Sequence, residues 1–261
     1  MGFPTAQMAL DVVLLWVPRL AQDVLRSRAV LKVTTSKRHF AGGSLWGPVQ
    51  QKPSADDSTV AVADGWPSAK AMREADVIVF YSNNPGWNDS KALELDEFQR
   101  RGGGLVYLHF AVDGHEATQA LSDRIGLAWR GGKAKFRHGM LDLELSESSP
   151  ITRGLSQLSI HDESYWQLSG DPTSINVLAT SIEDGKPQPV IWTRENGSGR
   201  VFVSIPGHYT WTFDDPLFRV LILRGICWAA HAPEDRLTPL AAIGARIIET
   251  PAVSSNTATG L

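Results

Sequence analysis

The chain has 261 residues, of which 43% are hydrophobic and 20% are charged, and its formal net charge is -3. This length and composition predict one large globular domain. The slightly acidic charge, without a long basic run, argues against nucleic acid or an anionic membrane surface as a partner. The single cysteine, Cys227, excludes an internal disulfide and a thiolate metal cluster, and it fits the cytoplasm, which we predict as the compartment.

Residues 1–60 carry few regular patterns. The stretch from Met8 to Ser27 looks amphipathic and predicts a helix, and the apolar run from Ala29 to Thr35 predicts a strand. The sequence that follows, up to Ser58, has no period at all. We therefore treat 1–60 as an N-terminal segment whose structure the pattern does not define.

Strands and helices alternate regularly from about residue 70. Ala75–Ser82 and Leu105–Phe110 are continuous apolar runs of strand length, which is typical of strands covered on both faces. A helical pattern follows each run, the first starting near Ser90 as its N-cap and the second near His115. This alternation predicts an α/β domain with a mostly parallel sheet.

Shorter alternating segments follow Gly126 and predict additional strands. The segment PVIWTR-ENGSG-RVFVSI predicts a β-hairpin, because Asn196-Gly197 is a typical hairpin turn. The next helix has Asp215 as its expected N-cap and Pro216 at its first position. We place the α/β domain at residues 61–236 and a polar C-terminal tail at 237–261.

Polar and aromatic side chains collect where the predicted strands end. Five of the seven histidines lie between positions 109 and 208, at strand edges or in two predicted loops, GGKAKFRHG and IHDESYWQL. Because His109 and His208 directly follow buried strands, a role in a site is the favoured interpretation for both. For His115 and His138 a structural role is favoured.

Several kinds of catalytic site can be set aside. The sequence has no GxSxG elbow, no Walker A motif and no GxGxxG, and Cys227 lies in an apolar helical stretch that does not suit a nucleophile. The histidines and carboxylates remain, and they could serve either as general acid/base pairs or as ligands of a divalent metal. Their spacing matches no known ligand motif.

The order of several blocks resembles the ThuA-like (trehalose utilisation) family. These blocks span roughly Trp66–His231 and are ADVIVFYS, RRGGGLVYLHFAVDG, SPITRGL with HDESYW, and PVIWTRENGSGRVFVSIPGHYTWTFDDPLFRVLILRGICWAA. The resemblance implies a flavodoxin-like fold, close to class I glutamine amidotransferases, with helices flanking the sheet. His109 then stands where those enzymes carry the nucleophilic cysteine and His208 where they carry the catalytic histidine, so glutaminase activity is not implied.

The resemblance also implies an enzyme of carbohydrate metabolism, a hydrolase or isomerase, that acts on a small sugar or keto-sugar. His109 and His208 would transfer protons, and Asp162 and Glu163 would orient them or act as bases. The residues expected to bind substrate are Asp113, Trp166, Tyr209, Trp211 and Asn83.

Two alternatives stay open: a non-catalytic sugar-binding or scaffold protein on the same fold, and a metal-dependent hydrolase. We assign no cofactor and no metal ligand, and we leave the oligomeric state open, a homo-oligomer included. Family members begin with a strand and a histidine-containing, glycine-rich loop. Residues 1–60 contain no such loop, with His39 the nearest substitute, so we expect that first strand to be missing, displaced or replaced.

Overall fold

The computed structural model describes residues 10–15, 58–63, 66–81 and 87–242, the first two ranges as backbone strands only. Within these ranges the main sheet has nine strands: β1 (Leu10–Leu15), β2 (Ser58–Ala63), β3 (Val77–Phe80), β4 (Gly104–Leu108), β6 (Lys135–Leu145), β7 (Gln157–Trp166), β9 (Asn176–Glu183), β10 (Lys186–Asn196) and β11 (Gly199–Ser204). Their order across the sheet is β2-β1-β3-β4-β11-β10-β9-β6-β7. A second sheet pairs β5 (Leu127–Ala128) with β8 (Ser169–Gly170).

One half of the main sheet is parallel. Its five strands, β2-β1-β3-β4-β11, pair in parallel along their whole order. This is the 2-1-3-4-5 order of flavodoxin-like folds, and it confirms the predicted fold class. Every residue of β3 and of β4 is buried, because helices cover a parallel sheet on both faces. The helices are α1 (Ala69–Glu74), α2 (Asp89–Arg100), α3 (Thr118–Ile125) and α4 (Pro216–Ala229).

The other half is antiparallel. β10 and β11 form the predicted hairpin, and Gly197 in its turn has a φ of 60°, the left-handed conformation that such a turn requires. β9 pairs with β10 and with β6, and β6 pairs with β7 over ten residues, from Lys135 with Trp166 to Glu144 with Gln157. The extension beyond the parallel strands is thus larger than one added hairpin.

The prediction of a helix across the beginning of the chain was wrong in part. Leu10–Leu15 is a strand that lies between β2 and β3 and pairs with both in parallel. The run LDVVLL has the length and the valine content of a buried parallel strand, and a short apolar run of this kind does not separate strand from helix by period alone. Of the three alternatives for the first strand, a missing strand is therefore wrong. The predicted strand Ala29–Thr35 and His39 lie outside the described residues.

The two histidine-bearing loops are strands. Most of GGKAKFRHG belongs to β6, and most of IHDESYWQL belongs to β7. Polar side chains favoured the loop interpretation, but Asp162, Glu163 and Ser164 are all buried in the strand. Buried polar groups are tolerated in a strand when hydrogen bonds satisfy them, and for the two carboxylates they do.

The helix caps follow the predicted chemistry with one shift. Asp215 caps α4 by accepting hydrogen bonds from the backbone N–H groups of Leu217 and Phe218, and Pro216 is the first helical residue. α2 begins two residues earlier than predicted, at Asp89, and its cap is Asn88 in place of Ser90. Among the helices that the structure describes, none has the length and apolar character to cross a bilayer.

Candidate functional site

His109 is held in a fixed orientation at the end of β4. The residue is buried and has a φ of 54°, a left-handed conformation that few residues other than glycine adopt. Its Nδ1 lies 3.0 Å from the carbonyl oxygen of Ile205. Because a carbonyl oxygen can only accept, Nδ1 carries the proton, and Nε2 presents a lone pair.

His208 lies in the loop that follows β11, and a buried carboxylate holds that loop. Oδ1 of Asp162 accepts hydrogen bonds from the backbone N–H groups of Gly207 (3.1 Å) and His208 (3.0 Å), and the Thr212 hydroxyl donates to its Oδ2. On the other side of the loop, the Tyr81 hydroxyl donates to the Gly207 carbonyl oxygen at 2.5 Å. Asp162 therefore positions the backbone of His208 and does not itself touch either imidazole through these bonds.

The two imidazoles meet at the carboxylate of Glu163. Oε2 of Glu163 lies 2.8 Å from Nδ1 of His208 and 3.3 Å from Nε2 of His109, and those two nitrogens are 2.9 Å apart. The Tyr165 hydroxyl lies 3.0 Å from Nε2 of His109 and 3.2 Å from Oε2 of Glu163. We call these four residues, His109, Glu163, Tyr165 and His208, the histidine–carboxylate cluster.

The proton positions in this cluster follow from its acceptors. Nε2 of His109 and Oε2 of Glu163 are both acceptors, so Nδ1–H of His208 and the hydroxyl of Tyr165 are the available donors. The Tyr165 hydroxyl donates to Oε2 of Glu163, and Nδ1 of His208 lies within hydrogen-bond distance of the same oxygen and of Nε2 of His109. The cluster is a hydrogen-bonded network around one carboxylate.

The environment shifts the pKa of three members. Burial opposes the ionisation of Glu163, but the contacts with His109, His208 and His138 outweigh it and hold the pKa of that carboxyl below its usual range. Burial and the neighbouring His109 lower the pKa of His208. Burial, followed by the charge of Glu163, raises the pKa of Tyr165. At neutral pH the site therefore holds a carboxylate, a neutral His208 and a protonated phenol.

Sequence reasoning missed two residues of the site, His138 and Tyr165. His138 is paired with Glu163 across β6 and β7, and its Nε2 lies 3.6 Å from Oε1 of Glu163. The hydroxyl of Tyr209 lies 2.8 Å from Nδ1 of His138. Tyr165 is two positions after Glu163 and shares its face of β7. The period of two would have indicated Tyr165 had the segment been predicted as a strand.

An aromatic surface adjoins the cluster. The rings of Tyr209 and Trp211 stack with centroids 4.1 Å apart, and Trp211 keeps 39% of its surface exposed. We call this pair the aromatic wall. Phe136 and Met140, also exposed, alternate with His138 on the same face of β6. Apolar surface thus lies on more than one side of the polar cluster.

The remaining predicted residues lie elsewhere. Asp113 accepts a hydrogen bond from the backbone N–H of His115 at 2.8 Å, and its Oδ2 is 3.6 Å from Nδ1 of that histidine. Trp166 follows Tyr165 on the opposite face of β7, where its indole donates to Asp184. Asn83 lies outside the described residues.

Comparisons with known proteins agree with this architecture. Residues 48–229 match the ThuA family, described as trehalose utilisation. A protein from Parabacteroides merdae described as ThuA-like is 18% identical, with a TM-score of 0.58 over 85% of this chain and 90% of that one. One from Bacteroides uniformis is 15% identical, with a TM-score of 0.59 over 86% and 95%. At these identities the two structures establish the fold. No significant match was found among curated proteins.

Proposed function

The chain belongs to the ThuA family of trehalose utilisation, and on that premise we propose that it is an enzyme that transforms a small sugar by acid–base chemistry at the histidine–carboxylate cluster. Family membership indicates a role in carbohydrate metabolism. The finer assignment, a hydrolase or isomerase acting on a sugar or keto-sugar, is supported by the groups that the cluster brings together.

The contact between Glu163 and His208 carries the proposal. The carboxylate is buried and lies 2.8 Å from Nδ1, while the His208 side chain is 38% exposed. A carboxylate bonded to one imidazole nitrogen orients the ring and stabilises its protonated form, so the second nitrogen can accept a proton from a bound molecule. His208 would be the general base in this arrangement, and Glu163 would stabilise the charge that forms.

Cysteine chemistry does not fit this chain. Its single cysteine, Cys227, is buried in α4, and burial raises the pKa of the thiol to about 11. The position after β4 belongs to His109, whose Nε2 faces His208. The histidines and the carboxylate support reactions driven by proton transfer, such as hydrolysis or the isomerisation of a keto-sugar, in which a base removes the proton beside the carbonyl.

The surroundings of the cluster suit a small carbohydrate. The C–H faces of a sugar ring pack on aromatic rings, and the aromatic wall offers such a surface within reach of His208, since the Tyr209 and His208 rings are 4.5 Å apart. A few polar groups beside exposed apolar residues are what a small-molecule site requires. As part of this proposal we retain the cytoplasm as the compartment.

The test is an activity screen in which NMR measures the conversion of each sugar. Trehalose, glucose and their keto derivatives would be incubated with the wild-type chain, with His208→Ala, and with His231→Ala as a control imidazole that contacts Ser198. We expect conversion of at least one sugar by the wild type and the control, and none by His208→Ala. Binding without conversion would instead support the sugar-binding protein. Equal conversion by all three would refute the role of His208.

A further inference from the structure

We propose that the histidine–carboxylate cluster is also a binding site for a divalent transition-metal ion of the Zn²⁺ class, with Nε2 of His109, Oε2 of Glu163 and Nδ1 of His208 as its ligands. Among the described residues these three offer donor atoms that all lie within 4.8 Å of one another. The inference does not depend on the sugar, because an ion can bind whether or not a substrate is converted.

The spacing of the three atoms fits one ion. They lie 2.8, 2.9 and 3.3 Å apart, so a single point on one side of their plane can be about 2.1 Å from each, the usual Zn–N and Zn–O distance. Three ligands spaced in this way occupy one face of the coordination shell. A His₂Glu set of this kind is also the ligand set of some catalytic zinc sites, in which water or substrate completes the coordination.

The neighbours of the ligands are those of a metal site. A metal-bound imidazole commonly donates its other N–H to a carbonyl or carboxylate, and Nδ1 of His109 bonds to the Ile205 carbonyl oxygen at 3.0 Å. This bond leaves the lone pair of Nε2 directed at the other two ligands. Asp162 fixes the backbone of His208 through two hydrogen bonds. The ligand geometry is therefore held by a surrounding shell of hydrogen bonds.

The donor chemistry selects the ion. Two imidazoles and one carboxylate suit Zn²⁺ and its first-row neighbours, whereas Mg²⁺ and Ca²⁺ prefer oxygen ligands alone. Nδ1 of His208 faces the two other ligand atoms, Oε2 of Glu163 and Nε2 of His109. The ion would replace a proton on Nδ1, and His208 would then act as a ligand in place of a base. An ion here would supply an activated water or polarise a carbonyl.

Zinc binding can be measured directly, without any sugar. Full-length protein without a histidine tag would be stripped with EDTA, dialysed and titrated with ZnCl₂ by calorimetry. We expect one Zn²⁺ per chain for the wild type, and an affinity lower by at least about tenfold in Glu163→Gln and His208→Ala, since even changes to residues that only support a ligand cost that much. The matched control is His115→Ala, which removes the imidazole of the other histidine–carboxylate pair, with Asp113, and should bind as the wild type does.

A second measurement needs no variant. In the wild-type protein labelled with ¹⁵N at histidine, Zn²⁺ should shift the signals of Nε2 of His109 and Nδ1 of His208 more than those of His231. The inference is overturned if the wild type binds no zinc stoichiometrically, if both cluster variants bind it unchanged, or if these two nitrogens do not respond. Sugar conversion that continues after stripping would leave the proposed function standing and show that the reaction does not need the ion.

Discussion

Nδ1 of His208 lies 2.8 Å from Oε2 of Glu163, although the histidine follows the last parallel strand and the carboxylate belongs to the outermost antiparallel strand. The loop after β11 bridges this distance, and Asp162, the neighbour of Glu163, holds the loop by its backbone. One strand thus supplies both the group that positions His208 and the group that bonds to its ring.

The first prediction concerns the charge of Glu163. Glu163→Gln keeps the shape of the side chain but removes the negative charge that stabilises a protonated His208, so we expect sugar conversion to fall by about 10² to 10⁴-fold. Steady-state kinetics would measure the loss. Glu144→Gln changes an exposed carboxylate on β6, serves as the control and should keep full activity. If the Glu163→Gln variant were as active as the wild type, this role would be ruled out.

The second prediction concerns pH. His208 acts as a base only when neutral, and its pKa lies below the ordinary value of about 6.5. As the pH falls, kcat/KM should therefore decline with a midpoint below 6.5, as the imidazole becomes protonated. Glu163, whose pKa is also lowered, stays ionised across this range. A pH profile with its acid midpoint above 6.5 would contradict the assignment.

The third prediction separates positioning from chemistry. Asp162 is fully buried, and Asp162→Ala leaves the backbone N–H groups of Gly207 and His208 without their acceptor. We expect this change to lower the free energy of unfolding by roughly 2–4 kcal/mol, as for other buried polar groups that lose a charged partner. Urea denaturation would measure it. Asp142→Ala, which removes an exposed carboxylate on β6, should cost less than about 0.5 kcal/mol. Equal losses in the two variants would show that Asp162 does not hold the loop.

The fourth prediction concerns the aromatic wall. Trp211→Ala removes an exposed ring that stacks on Tyr209, so sugar binding should weaken by about tenfold while the melting temperature changes little. Isothermal titration with the sugar identified in the screen would measure the affinity. Leu93→Ala removes an exposed apolar side chain of α2 and should leave binding unchanged. An unaltered affinity in the Trp211→Ala variant would place the sugar elsewhere.

The parallel half of the fold could be predicted from the sequence because its strands are continuous apolar runs. Ala75–Ser82 and Leu105–Phe110 contain β3 and most of β4, and caps such as Asp215 locate the helices by local chemistry. β1 was missed because a short, mostly apolar run fits a helix as well as a strand, and only its pairing with two neighbours decides between them.

The site was harder to predict because its residues share no local pattern. His109 and His208 could be expected to meet, since both follow strands of one parallel sheet. The pairing of His138 with Glu163 depends on the register of β6 and β7, which no residue in either segment specifies alone. Trp166 was grouped with the site by its nearness in sequence to Glu163, although alternation along β7 directs the two side chains to opposite faces.

A crystal structure of the chain soaked with the sugar selected by the screen tests the central claim most directly. We predict electron density for the sugar beside the imidazole of His208, with one face of its ring on Trp211. Density for the sugar only in another part of the molecule, such as the groove lined by Asp96 and Arg124 beside the β10–β11 turn, would contradict the account.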